Sequence, residues 1–301
     1  MNSRNTPVRL KAMIGDYPIT HGLRSGQILS ESGASGRFEF EFADVKVPNT
    51  AFKRVVRSLE FDVSELAIVT FLQAVDAGIP LVLLPAVLVS RFQHPFLMFD
   101  SRRGRLRPQD LRGKRIGVRS YCVTTVTWIR GMMQADHGIE PHDNRWVACE
   151  DGHVAQWRDP QWVERVDSST DMLELLEAGE IDAAVLGAAP PDKPYIKPVF
   201  ADPALASRQW YDRHQVIQTN HMLVLKRSLV EDHPDFPCTM MSLLAQSAGS
   251  ELSEADRRAH PCGISRVRPH LEFAIDMVHR QGLISERPAL ESLFHATTLI
   301  D

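Results

Sequence analysis

A polar loop between a predicted strand and a predicted helix is the first place where the residue types suggest a binding site. Arg115–Val118 is a short apolar run typical of a buried strand, and Thr124 or Thr125 begins a segment with helical apolar spacing. Ser120 and Tyr121 lie between them. Backbone N–H groups at a helix N-terminus are unpaired, and the helix dipole favours negative charge there. We therefore expect these four polar residues to bind an anion; the alternative is an ordinary strand-to-helix turn.

The motifs that are missing narrow the chemistry of this anion. The chain has no GxGxxG and no GxxxxGK[ST] motif, so the anion need not be a nucleotide phosphate, and a carboxylate fits as well. It also lacks HExxH, closely spaced histidine pairs, CxxC and G-x-S-x-G. We therefore expect no metal site and no Ser-His-Asp triad.

Two arginines are candidate clamps for a carboxylate. Arg91 follows the longest apolar run of the chain, and Arg119 precedes the polar loop described above. The planar guanidinium matches the geometry of a carboxylate, which is why these residues are of interest. The alternative for each is a surface charge.

Four further polar residues lie close to predicted strands. Ser64 and Glu65 come at the end of one strand, where Glu65 is either a base or an acid at a helix N-terminus. Asp16 either contacts a ligand or caps the following helix, and Asn220 could donate a hydrogen bond to a ligand oxygen.

Composition excludes several classes of protein. The 301 residues are 44% hydrophobic and 24% charged, with a net charge of −4 and both signs interspersed. The chain has no stripe or block of basic residues, so we expect neither a nucleic acid nor a membrane surface as its partner. The longest apolar run, Ile79–Val89, is too short to cross a bilayer and contains Pro85, so we interpret it as a buried strand.

The N-terminal residues and the cysteines favour a cytoplasmic protein. The first residues include basic ones, but no apolar stretch and no A-x-A site typical of a signal peptide follows them. The four cysteines are scattered, which indicates reduced thiols rather than a disulfide framework.

Strands and helices alternate through most of the chain, which predicts parallel sheets in an α/β protein. The last part is mostly helical and too poor in strands to form a domain alone. The predicted elements that matter below are strands at Val8–Ile14, Phe38–Val45, His94–Phe99 and His221–Leu225, a strand or loop at Phe61–Ala67, a loop at Ala188–Pro198, and helices at Val69–Ala77, Asp171–Ala178, Phe236–Ser247 and Arg287–Phe294.

Several motifs resemble the 4,5-dihydroxyphthalate decarboxylase family. They are spread over most of the chain: Gly15-Asp16-Tyr17, the run Phe61–Leu66, the run Asp110–Val118 with Tyr121, Thr124, Trp128, Arg130 and Gly131, the run Gly179–Ala183, and the C-terminal stretch His279–Thr297. That family is similar to the type II periplasmic binding proteins, close to the binders of a thiamine precursor, nitrate and sulfonate.

The resemblance implies a two-lobe, periplasmic-binding-protein-like type II α/β fold with a ligand cleft between the lobes. Residues 1–94 and 219–301 would form lobe 1, and residues 95–218 would form lobe 2. In such a protein His94 and His221 would both face the cleft where the chain crosses between the lobes. The alternative is that each is an ordinary polar residue near a strand end, with its hydrogen bonds made within the protein.

The leading function implied by the resemblance is the decarboxylation of a hydroxylated aromatic carboxylic acid such as 4,5-dihydroxyphthalate. Such a reaction proceeds without a cofactor if a group protonates the ring carbon that bears the carboxylate, and histidine suits this role because its ordinary pKa is about 6.5. We predict His94 as the proton donor, with His221 and Glu65 as further catalytic residues.

The alternative function is a non-catalytic binder of a small carboxylate, either a solute-binding protein of a transporter or a cytoplasmic sensor. The missing signal peptide favours the enzyme. Departures from the family's pattern favour the binder: Pro18-Ile19-Thr20 follows Gly-Asp-Tyr where the family usually carries Asp-Arg-Thr, and Arg119-Ser120-Tyr121 stands in place of Pro-Glu-Tyr.

Overall fold

A computed structural model describes residues 7–28, 37–187, 191–249 and 252–299 of the chain. The chain divides into two compact units. Unit 1 contains residues 1–91, 219–276 and 284–301, and unit 2 contains residues 92–218 and 277–283.

The described residues form eleven strands and ten α-helices. The strands are β1 (Val8–Met13), β2 (Phe38–Phe42), β3 (Val63–Ala67), β4 (Leu81–Ser90), β5 (Leu97–Asp100), β6 (Arg115–Val118), β7 (Arg145–Ala148), β8 (Val163–Arg165), β9 (Ala183–Val185), β10 (Ile196–Pro198) and β11 (Thr219–Lys226). The helices are α1 (His21–Arg24), α2 (Phe52–Ser58), α3 (Ile68–Asp76), α4 (Thr124–His137), α5 (Met172–Ala178), α6 (Pro203–His214), α7 (Arg227–Asp232), α8 (Phe236–Ala248), α9 (Glu254–Ala259) and α10 (Ile264–Arg280). Among the residues described, no helix is long and apolar enough to span a membrane.

Unit 1 is built on a five-stranded sheet in the order β2-β1-β3-β11-β4. β1 pairs in parallel with β2 and β3, whereas β11 lies between β3 and β4 and is antiparallel to both. β11 therefore brings residues from late in the chain into the middle of a sheet formed by its first part. Apolar side chains of the sheet pack against Leu23 of α1 and against Phe236, Met240 and Leu243 of α8 in one continuous core.

Unit 2 is built on a six-stranded sheet in the order β10-β5-β9-β6-β7-β8. β6 pairs in parallel with β7 and β9, and β5 is antiparallel to both β9 and β10. Met172 and Leu176 of α5 pack on this sheet together with Val147, Ile181 and Ala184.

Most of the predicted elements are confirmed. The strand predicted at Val8–Ile14 is β1, the strand predicted at His221–Leu225 is the centre of β11, and the helix predicted at Phe236–Ser247 is α8. The predicted helix at Asp171–Ala178 ends before Gly179 as expected, since this glycine adopts a φ of 76° that other residues avoid.

Three predictions were wrong in detail. The strand predicted at His94–Phe99 begins only at Leu97, because Pro95 fixes the preceding residues in a 3₁₀ turn. The loop predicted at Ala188–Pro198 contains β10. β10 is an edge strand that pairs only with β5 in this sheet, and an edge strand can accommodate a proline such as Pro198. Residues 188–190 lie outside the described part of the chain. Arg287–Phe294 forms only a short 3₁₀ turn at Leu290–Leu293 rather than an α-helix.

Leu223 in the middle of β11 provides a test of the unit 1 core. Its side chain is fully buried in the core cluster. We expect L223A to lower the free energy of unfolding by about 2–5 kcal/mol, because the cavity adds to the loss of apolar burial. Chemical denaturation followed by circular dichroism measures this change.

The matched control is V47A, because Val47 is 54% exposed. Its effect should stay within about 0.5 kcal/mol of the wild type. Equal effects of the two substitutions would contradict the packing described for β11.

Candidate active site

A buried carboxylate lies in the middle of the unit 1 sheet. Glu65 belongs to β3, in which all five residues are buried, and it has no solvent exposure. Burial of an unpaired carboxylate costs a large free energy, so this side chain needs donors around it. The structure supplies three.

The three donors come from three separated parts of unit 1. The Gly15 N–H donates to Glu65 Oε2 at 2.9 Å, and the Tyr17 hydroxyl donates to Oε1 at 2.7 Å. Nδ1 of His221 lies 2.5 Å from Oε1. A carboxylate that accepts from an N–H and an O–H acts as the acceptor for the imidazole as well, so the Nδ1 proton faces Glu65. Nε2 is then the ring nitrogen that can exchange a proton with a ligand.

The strand register explains why His221 meets Glu65. Leu223 lies opposite Glu65 across the β3–β11 ladder, and His221 lies opposite Ala67. Residues two apart on a strand share a face, and diagonal neighbours are within reach of long side chains. His221 is therefore the diagonal partner of Glu65. The ring of Phe52 from α2 packs edge-on against the imidazole of His221, with 5.1 Å between the ring centroids.

A tight turn after β1 positions the other two donors. Thr20 Oγ1 donates to the Gly15 carbonyl at 2.7 Å and accepts from the Tyr17 N–H at 2.9 Å. The Tyr17 ring folds back over Gly15, where an added Cβ would lie 2.5 Å from the ring. Only glycine leaves room for this arrangement.

Burial raises the pKa of the Tyr17 phenol far above its ordinary value, and the nearby Glu65 carboxylate raises it further, while the charge of Arg24 acts in the opposite direction. Tyr17 therefore stays protonated and remains a hydrogen-bond donor at neutral pH. The sequence reasoning included Tyr17 in the Gly-Asp-Tyr motif but did not select it as a site residue.

Other residues predicted for the site lie apart from this cluster. Asp16 is exposed and pairs with His21 at 3.0 Å. Ser64 and Asn220 are buried. Ser64 precedes Glu65 on β3, so its side chain points to the opposite face of the sheet. Arg91 follows β4 and is the last residue of the first segment of unit 1. Burial lowers the pKa of its guanidinium.

His94 lies in unit 2, whereas Glu65 and His221 belong to unit 1. It is buried, and its ring packs edge-on against Phe200 at 4.8 Å between centroids. Ser207 Oγ lies 3.1 Å from Nδ1 and gives its own proton to the Pro203 carbonyl, so Nδ1 of His94 is the donor in this pair. The role of His94 as proton donor stays a prediction.

The polar loop predicted to bind an anion lies in unit 2 and is largely buried. Ser120, Tyr121 and Thr124 are buried, and Thr125 is half-buried. The fully buried Arg130 donates to the Tyr121 carbonyl at 2.6 Å, and its guanidinium lies 3.8 Å from the centroid of the Tyr121 ring.

The N-terminus of α4, next to this loop, has no side-chain cap. An anion at the loop would therefore be bound by backbone N–H groups of the first turn of α4. Arg119 is exposed and forms a salt bridge of 2.9 Å with Glu150. Among the described residues, no group of three or more His, Cys, Asp or Glu side chains is arranged to hold a metal ion.

The fold is that of the periplasmic binding proteins. The structure is similar to the alkanesulfonate-binding protein SsuA of Xanthomonas axonopodis pv. citri bound to MOPS, with a TM-score of 0.57 and 13% identity over 97% of this chain and 99% of that one. It is equally similar to the periplasmic aliphatic sulphonate-binding protein SsuA of Escherichia coli, with a TM-score of 0.57, 12% identity and the same coverage. At such low identity these similarities show the fold alone.

In sequence, the chain is similar to two curated enzymes named 4,5-dihydroxyphthalate decarboxylase. The protein of Comamonas testosteroni is 27% identical over 294 residues, which cover 84% of this chain and 87% of that protein. The protein of Pseudomonas putida is 29% identical over 176 residues, covering 54% of this chain and 68% of that protein. No family model matches the chain. The resemblance inferred from the motifs is confirmed by these relatives.

The buried state of His94 predicts a pH dependence of stability. Burial lowers its pKa from 6.5 to about 4, with Arg213 and His137 adding to the shift and Asp136 opposing it. Because the folded pKa is the lower one, the stabilisation is complete above pH 6.5 and is lost as the pH falls from 6.5 towards 4. The loss amounts to about 3 kcal/mol.

We therefore expect the melting temperature of the wild type to fall relative to that of H94Q between pH 7 and pH 4. Thermal unfolding followed by circular dichroism at a series of pH values measures the difference. H279Q, at an exposed position, is the control. A wild-type-to-H94Q difference that does not depend on pH would contradict the assignment.

Proposed function

We propose that the chain is a decarboxylase of a hydroxylated aromatic carboxylic acid resembling 4,5-dihydroxyphthalate, with His221 as the proton donor. The observation that carries the proposal is the hydrogen-bonded set of Glu65, Tyr17 and His221 in a protein similar to two decarboxylases. In this proposal His221 replaces His94 as the donor, because His221 is hydrogen-bonded to a buried carboxylate, whereas His94 packs against an aromatic ring and its burial lowers its pKa.

The arrangement suits the chemistry of ring protonation. His221 in its imidazolium form gives the Nε2 proton to the ring carbon that bears the carboxylate, and a ring hydroxyl supplies electron density to the dearomatised intermediate. The bond to the carboxylate then breaks, CO2 leaves, and its electron pair restores aromaticity. Glu65 accepts from Nδ1 at 2.5 Å, so it orients the imidazole and stabilises its positive charge before proton transfer.

Tyr17 and Gly15 position Glu65 rather than the ligand. Their hydrogen bonds occupy both carboxylate oxygens. They therefore hold the carboxylate in one orientation and compensate its burial.

The test compares three variants on 4,5-dihydroxyphthalate, with CO2 release as the readout. H221Q should lower kcat by about 10²–10⁴-fold, the usual contribution of general acid–base catalysis, and change ligand affinity far less. E65Q should lower kcat as well, because it removes the negative charge that stabilises the imidazolium. H94Q is the matched control and should keep kcat within a few-fold of the wild type.

Two different results would contradict the proposal. Loss of turnover in H94Q together with normal turnover in H221Q would identify His94 as the donor instead. No CO2 release by the wild type, together with binding of the acid in calorimetry, would favour the second candidate function, a non-catalytic carboxylate binder. The structural similarity to sulfonate-binding proteins is the observation that favours that candidate.

We further propose that the reaction needs no metal and no cofactor, because a ring hydroxyl supplies electron density when the ring is protonated and the ring itself takes back the electron pair of the C–C bond when CO2 leaves. Dialysis against EDTA followed by assay should leave the rate of CO2 release unchanged. A rate that falls on dialysis and returns with one divalent metal would contradict this proposal.

A further inference from the structure

Arg24 differs from the arginines near it in unit 1. Arg9, Arg37 and Arg54 form salt bridges with Glu39, Asp235 and Glu60. Arg24 is half-buried, and within the part of the chain that the structure describes it has no carboxylate partner. A partly desolvated cation without a counter-charge favours the binding of an anion.

The guanidinium of Arg24 is held in one place by two contacts. Nη1 donates to the Ile14 carbonyl, and the guanidinium carbon lies 5.3 Å from the centroid of the Phe42 ring. Arginine has five N–H donors in a planar fork, and only one nitrogen is engaged by Ile14. Within the described ranges, Nε and Nη2 have no hydrogen-bond partner, so both can donate to a ligand.

A single peptide unit connects Arg24 to the proposed active site. The carbonyl of the Ile14–Gly15 peptide accepts from Arg24, and the N–H of the same peptide donates to Glu65. Arg24 is therefore separated from the Glu65 carboxylate by the width of one peptide group. The effect of its charge on the pKa of the Tyr17 phenol agrees with this proximity.

We propose that Arg24 binds a carboxylate group of the ligand of unit 1 and so makes the site selective for anionic aromatic compounds. This inference rests on the proposed function in one respect: it takes from it that the ligand is an aromatic carboxylate. A guanidinium fixed by a backbone carbonyl and a ring loses little side-chain freedom when it binds, and the planar fork matches a carboxylate. Arg119, one of the two arginines predicted from the sequence, is instead paired with Glu150.

The test measures binding of two probes by calorimetry: phthalate, which carries carboxylates but no hydroxyl, and catechol, which carries hydroxyls but no carboxylate. R24Q should weaken phthalate binding by about 10- to 100-fold, the range expected for a lost charge-assisted hydrogen bond, and leave catechol binding within about two-fold. R24K keeps the charge but loses the fork, so its affinity for phthalate should be intermediate.

The matched control is R37Q. Arg37 also lies over a phenylalanine ring, Phe38 at 5.0 Å, but its charge is already paired with Asp235. R37Q should therefore bind both probes as the wild type does. Circular dichroism melting curves of all variants show whether each is folded.

Three results would overturn the inference: equal weakening of phthalate and catechol in R24Q, equal effects of R24Q and R37Q, or a wild type that binds phthalate no better than catechol. The CO2 assay is independent of this test. Arg24-dependent phthalate binding in a protein that releases no CO2 would support this inference and remove the decarboxylase. If the protein releases CO2 but R24Q does not change phthalate binding, the decarboxylase is supported and the role of Arg24 is overturned.

Discussion

The burial of the Glu65 carboxylate is the constraint on which the rest of unit 1 depends. A charge in the middle of a sheet is tolerated only if its oxygens are fully hydrogen-bonded. One donor is the backbone of a glycine, one is a phenol and one is an imidazole, and they come from the turn after β1 and from β11. A shift of any of these elements would leave a buried charge without a partner, so the site and the fold of this unit are mutually dependent.

The same constraint explains the local backbone after β1. The turn must direct the Gly15 N–H and the Tyr17 hydroxyl to one carboxylate, and Thr20 stabilises this shape through two hydrogen bonds. The Ile14–Gly15 peptide is used on both sides, by Glu65 and by Arg24. A short segment of sequence therefore supplies an orienting donor, a half-buried phenol and a cation to one region of unit 1.

The two histidines selected from the sequence have opposite environments. His221 is hydrogen-bonded to a buried carboxylate. His94 is buried among aromatic rings with a serine hydroxyl as partner, and its burial lowers the pKa of its imidazole and favours the neutral form. A binding-protein fold carries no chemistry of its own, so these local environments are what a catalytic proposal must rest on.

The sequence by itself determined the elements and the resemblance. Hydrophobic periodicity located β1, β11 and α8 because local side-chain patterns reflect which face of an element is buried. Glu65 was a candidate because it lies at the end of a predicted strand, and the Gly-Asp-Tyr motif was part of the resemblance to the decarboxylase family. What only the tertiary structure decided is which candidates meet. His221 is 156 residues from Glu65 in sequence, and they touch because β11 inserts antiparallel between β3 and β4 in one register. Sequence spacing carries no information about such a non-local pairing, and a shift of one residue would turn His221 to the other face of the sheet. The same holds for Arg119 and Arg24, whose residue type is identical: only folding pairs the first with Glu150 and leaves the second beside the Glu65 site.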